Sequence, residues 1–114
     1  MDIGMTPAEL MARAVRDHLA DCTHTLPTLL GHDREASLHF FIGNIGAMRR
    51  QLFPALEVAY DTWLVSGDTT PVGLLAGRAA DHWRGLALQM LDLHRRFGER
   101  AAGKIAALVE QSTL

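Results

Sequence analysis

The chain has 114 residues and a formal net charge of -2, too little positive field for a dedicated nucleic-acid binder. With 48% apolar and 21% charged residues it has the balance of a globular chain, and no window approaches the roughly 20 apolar residues of a membrane-spanning helix. Cys22 is the only cysteine, so no internal disulfide can form. The N-terminal MDIGM shows no basic stretch followed by an apolar run, and the expectation is one cytoplasmic helical domain over residues 1–114.

Thr6-Pro7-Ala8-Glu9 is a helix start: Thr6 can cap, Pro7 fits the first helical position, and Glu9 completes a capping box. The first helix is predicted from about Pro7 to Cys22 or slightly beyond, with Met11, Val15, His18 and Cys22 as its central stripe. Pro27 makes Thr23 to Leu30 a connector or a kinked extension. Gly31-His32-Asp33 reads as a stop followed by a new cap at Asp33. A second helix starts near Arg34 and carries Leu38, Phe41, Ile42, Ile45, Met48 and Leu52. Pro54 kinks it or begins a third, Ala55 to Leu64, with Leu56, Ala59, Tyr60 and Trp63. Ser66-Gly67-Asp68 is another stop, and Thr70-Pro71 opens the last helical stretch. Nothing alternates with period two, so no strand is predicted.

The last stretch, through Gln111, carries Trp83, Leu86, Met90, Leu93, Phe97, Ala101, Ile105 and Leu108, a heptad seam with a stutter after Phe97. Beside it runs a second stripe of Ala80, Ala87, Leu91, Ala102, Ala106 and Val109. Together they cover more than the roughly 100° of a surface helix. Such a helix is central in its own bundle or shared with another chain. Unbroken from Val72 it would be about 60 Å long, against a diameter of about 35 Å for a compact chain of this size. Gly77, Gly85, Gly98 and Gly103 each cost roughly 1 kcal/mol relative to alanine in a helix interior. They suggest a break, a kink or close helix contact. The predicted fold is therefore all-α: a small antiparallel bundle of four to five helices with a long C-terminal helix, kinked or broken near Gly98.

On a helical wheel His32, Glu35, His39, Gly43, Gly46 and Arg50 fall within about 80° of one another. The segment His39-Phe40-Phe41-Ile42-Gly43 resembles the site of histidine phosphotransfer domains, helical bundles of about this size. Those carry a histidine, a lysine three residues on and a glycine four residues on. Ile42 stands here in place of the lysine, and the match covers about ten residues. The resemblance implies phosphoryl transfer at His39 to a docked partner. A metal or haem reading uses the same face: His32, Glu35 and His39, at i, i+3 and i+7, suit zinc or iron. His18 and Cys22 form a second chelating pair, and Asp17, Asp21 and His24 a third set. None has a known ligand spacing, and the Glu-x-x-His pattern of di-iron bundles is absent.

Structural roles account for most of these residues. His18 sits on the apolar stripe as a core histidine would, and Cys22 reads as a small core hydrophobe. Trp63, Trp83, Tyr60 and Phe97 read as core aromatics. Arg95, Arg96, Arg100 and Lys104 are interleaved with Asp92 and Glu99, as on a solvated face. No phosphate loop, nucleophile elbow, HExxH or CxxC is present. The functional expectation is a non-catalytic binding module, without a cofactor, that associates as a homodimer or with a helical partner. The expected interface lies on the C-terminal helix at Trp83, Met90, Leu91, Phe97, Ala102, Ile105 and Val109.

Overall fold

The computed structural model describes residues 6–32 and 35–114. The proposed Asp33 cap and the start at Arg34 lie outside these. The fold is all-α, with no strand among the described residues.

Helix α1 spans Pro7–Ala20. Thr6 is its N-cap, and the Thr6 hydroxyl accepts the Glu9 N–H at 3.2 Å, which satisfies one of the free donors of the first turn. The helical backbone does not stop at Cys22. It widens into a π turn over Asp21–Thr25 and continues as α2, Leu26–Gly31. Pro27 has no N–H, and its ring would strike the carbonyl four residues back in a regular helix. The wide turn just before it relieves that clash.

The second predicted helix is two helices, α3 (Glu35–Gly43) and α4 (Ala47–Leu52). Gly46 is extended, with φ -67° and ψ 162°. The Asn44 side-chain amide folds back to the Phe40 carbonyl at 2.7 Å. Arg50, one helix later, donates to the carbonyls of Ile42, Gly43 and Ile45 at 3.3, 3.0 and 2.8 Å. Its guanidinium is thus the C-terminal cap of α3, taking acceptors that the broken helix leaves open. The helical wheel that aligned His39 with Gly46 and Arg50 does not hold across this break.

Pro54 begins α5, Pro54–Ser66, after Phe53 leaves helical geometry. Gly67, at φ 74°, ends it, and its N–H reaches the Trp63 carbonyl at 2.7 Å. Asp68 then accepts from the Thr70 hydroxyl at 2.6 Å and the Thr70 N–H at 2.9 Å. Those bonds hold its carboxyl below the usual carboxylate range.

Helix α6 spans Thr70–Phe97, about 42 Å, and sets the longest dimension of a 47 × 28 × 21 Å molecule. It stops at Gly98, whose φ of 59° and ψ of -131° suit only glycine. A short 3-10 turn, Gly98–Ala101, leads to α7, Ala102–Gln111. Helix α7 folds back along α6: His82 Nε2 donates to the Ser112 carbonyl at 2.7 Å. Leu114 then exchanges backbone bonds with Leu52 and Ala55 at 3.0 and 3.2 Å. The tail therefore does not project.

Helix α6 is the centre of the bundle and packs against α1, α2, α5 and α7. It buries Val72, Leu75, Ala76, Ala79, Trp83, Leu86 and Met90. Its wide apolar face is explained by this position, and the expected interface needs correction accordingly. Trp83, Met90 and Val109 are buried in the chain's own core, because α7 returns and closes over α1 and α6. Phe97 and Ile105 are half-buried, while Leu91 and Ala102 remain exposed.

Candidate interaction surface

The histidines separate into different environments. His18 is buried at the centre of the core, 4.9 Å from the Trp83 ring in a stacked arrangement and edge-on to Phe53 at 5.1 Å. Its Nε2–H donates to the Arg49 carbonyl at 3.0 Å, and the Arg49 guanidinium faces its Nδ1 at 3.4 Å. Those contacts fix the neutral Nε2–H tautomer. Burial first, then the neighbouring Arg49 charge, lower its pKa from 6.5 to about 4. Arg49 also pairs with Asp21, which in turn accepts from the Thr25 hydroxyl at 3.0 Å. Cys22 lies beside this cluster, and burial pushes its thiol up to about 12, with Asp21 adding to the effect. The two residues of the His18–Cys22 pair are thus held in the core. Arg49 Nε and Trp83 Nε1 are buried donors without a hydrogen-bond partner among the described residues. The cavity beside His18 and Arg49, about 10 Å³, holds no more than one water.

His39 is half-buried on α3. Its ring stacks on Trp63 with centroids 4.0 Å apart and 13° between planes, and its Nδ1 bonds the Tyr60 hydroxyl at 2.9 Å. A side chain at Gly43, one turn on, would meet nothing within 4 Å. His32 and Glu35 are exposed, at the end of α2 and the start of α3. Among the described residues no three histidine, cysteine or acidic side chains are grouped to hold a metal, so His32, Glu35 and His39 do not converge.

The basic residues after Leu93 behave as solvated charges. Arg96 pairs with Asp92 at 3.6 Å, and Lys104 lies over the Phe97 ring at 4.6 Å.

The fold also leaves large apolar side chains exposed. Leu74, Leu88 and Leu91 of α6 are 66%, 62% and 45% exposed. They belong to one stripe that the wider core stripe through Trp83 had obscured: Leu74, Gly77, Asp81, Arg84, Leu88, Leu91 and Arg95. The steps alternate between three and four residues, the spacing of a coiled-coil seam, and every member is exposed. An open groove of about 450 Å³ adjoins it, lined by Leu88, Gln89, Asp92, Leu93 and Leu108. Phe40 on α3 and Val58, Leu64 and Val65 on α5 are also exposed, but they are divided between two shorter helices. No described helix is long and apolar enough to cross a membrane.

This architecture and this surface define a small all-α bundle whose central helix keeps one unpartnered face. The chain belongs to the family of unknown function DUF6866, C-terminal domain, whose family model matches residues 1–112. No curated protein and no solved structure matches it.

Proposed function

We propose that this chain is a non-catalytic association module that joins protein chains through the exposed face of α6. The observation that carries the reading is the row of exposed residues at seam spacing, three of them leucines, on the longest and most central helix. Burying such residues contributes about 25 cal/mol per Å² of apolar surface, and a rigid 28-residue helix presents them with little ordering cost. Three of the groups weighed for chemistry are held in structural contacts: His18 in the core, His39 against Trp63 and Tyr60, Cys22 as a buried thiol. Light scattering across a concentration series tests the proposal. The expected mass rises above the 12.5 kDa of one chain into the high micromolar range. A constant single-chain mass defeats the reading.

Phosphotransfer at His39 has less support. The open space at Gly43 favours it, and the stacked, hydrogen-bonded imidazole works against it. An acid-labile label from a phosphorylated receiver domain, lost in His39→Gln, would revive it.

A further inference from the structure

We infer that the occupant of the α6 face is a second copy of this chain, lying antiparallel along α6 about a two-fold axis between His82 and Trp83. The inference rests on the association reading above and adds the partner and the register.

The seam is self-complementary in one direction only. Asp81 and Arg84 lie equally far on either side of the midpoint between His82 and Trp83; so do Gly77 and Leu88, and so do Leu74 and Leu91. An antiparallel copy centred there places Leu74 against the partner's Leu91, Gly77 against the partner's Leu88, and Asp81 against the partner's Arg84. Each contact recurs on the other side of the axis, as a closed two-fold interface requires. Three properties match at once: leucine meets leucine, the largest gap meets a large side chain, and the acid meets the base. The facing rows span about 26 Å of helix.

The parallel arrangement fails on the same residues. It puts Asp81 on Asp81, Arg84 on Arg84, and Gly77 on Gly77. Like charges then face each other at the centre, and two glycines leave a hole beside them.

Gly77 adds an independent observation. It stands mid-helix and exposed, where glycine is destabilising, and a side chain there would meet nothing of its own chain within 4 Å. No turn, positive φ or close neighbour within the protomer calls for it. A partner's Leu88 seated over it would. The Asp81–Arg84 pair within the helix, 3.2 Å apart, is exposed, and such pairs contribute little. Exchanging it for two cross-chain pairs at the axis therefore gives up little.

Cross-linking and charge reversal test the register. Leu74→Cys with Leu91→Cys in the full chain should give a disulfide-linked dimer under mild oxidation, since Cys22 is buried. Within one chain the two positions are about 26 Å apart on a helix, beyond disulfide reach. Each single cysteine variant should give almost none. Asp81→Arg alone and Arg84→Asp alone should each weaken the dimer at least tenfold in Kd, and the double reversal should restore it. Gly77→Leu should also dissociate the dimer while leaving the helical circular dichroism intact. Val65→Asp, exposed on α5 and outside the seam, should change nothing. If the chain dimerises but ignores the charge reversals, or if Leu74→Cys alone cross-links, this pairing is overturned and association stands. A chain that is monomeric throughout overturns both.

Discussion

Acidification from pH 7 to pH 5 should destabilise this fold through His18. The imidazole is buried and neutral, with Nε2–H given to the Arg49 carbonyl and Nδ1 facing the Arg49 guanidinium. A second proton on Nδ1 would point at a cation and sit unsolvated in the core. The folded-state pKa is accordingly about 4 against 6.5 for the free side chain. The folded state thus takes up the proton later than the unfolded chain. The stability held by neutral His18 is fully present above pH 6.5, drains as the pH falls below it, and is gone once the pH passes 4. A shift of this size amounts to about 3 kcal/mol in total, of which about 2 kcal/mol is lost between pH 7 and pH 5. For a domain whose whole stability is of order 5–15 kcal/mol that is a large share. Urea denaturation at pH 7, 6 and 5, followed by circular dichroism, measures it. His18→Phe fills the same space and cannot titrate. It should be less stable at pH 7, because the Arg49 carbonyl keeps only the Phe53 N–H and the Arg49 guanidinium loses the Nδ1 that faces it, and should show a flatter pH dependence. Equal slopes for the two proteins between pH 7 and 5 would refute the assignment.

Other outcomes follow from the same geometry. Gly98→Ala forces a side chain into φ 59°, ψ -131° and should cost about 2 kcal/mol; Gly67→Ala, at φ 74° and ψ 2°, should cost about 1 kcal/mol, both by urea midpoint. Arg49→Met strands Asp21 in a half-buried site and should cost about 2 kcal/mol. Adding Asp21→Asn to it should then cost less than the two single changes together. The Cys22 thiol should stay unreactive toward a disulfide reagent at pH 8 in the native state and react fully in denaturant, since burial pushes it up to about 12. Rapid native-state labelling would contradict the burial.

Where a residue acts on its own backbone, its mark could be read from the chain. Thr6-Pro7 and Gly67 set their boundaries through a side-chain oxygen, a fixed φ or a permitted φ, while Pro54 and Gly98 were legible as a kink or a break without deciding which, and both are breaks. The break at Asn44–Gly46 was not legible. It depends on Arg50 reaching back to carbonyls five to eight residues earlier, a contact that no local pattern encodes. Pro27 was legible as a connector or a kinked extension, and the extension is the outcome, through a π turn that the sequence did not announce. Which apolar residues of the C-terminal stretch stay exposed was legible only in part. Leu91 was singled out and is exposed, whereas Trp83, Met90 and Val109 were drawn inward. Periodicity shows how wide an apolar face is, and only the return of α7 decides how much of it the chain covers itself. The histidines carried the weakest signal. Spacing aligned His32, Glu35 and His39 on one wheel, but Trp63 and Tyr60, from a different helix, engage His39.

The most direct test of the account compares the wild-type chain with Leu88→Glu by light scattering at matched high micromolar concentrations. Leu88 is 62% exposed, so the change leaves the protomer's core untouched while placing a charge in the seam. The account predicts a wild-type mass approaching twice 12.5 kDa and a single-chain mass for the variant. Equal masses for the two, whether monomer or dimer, would contradict it.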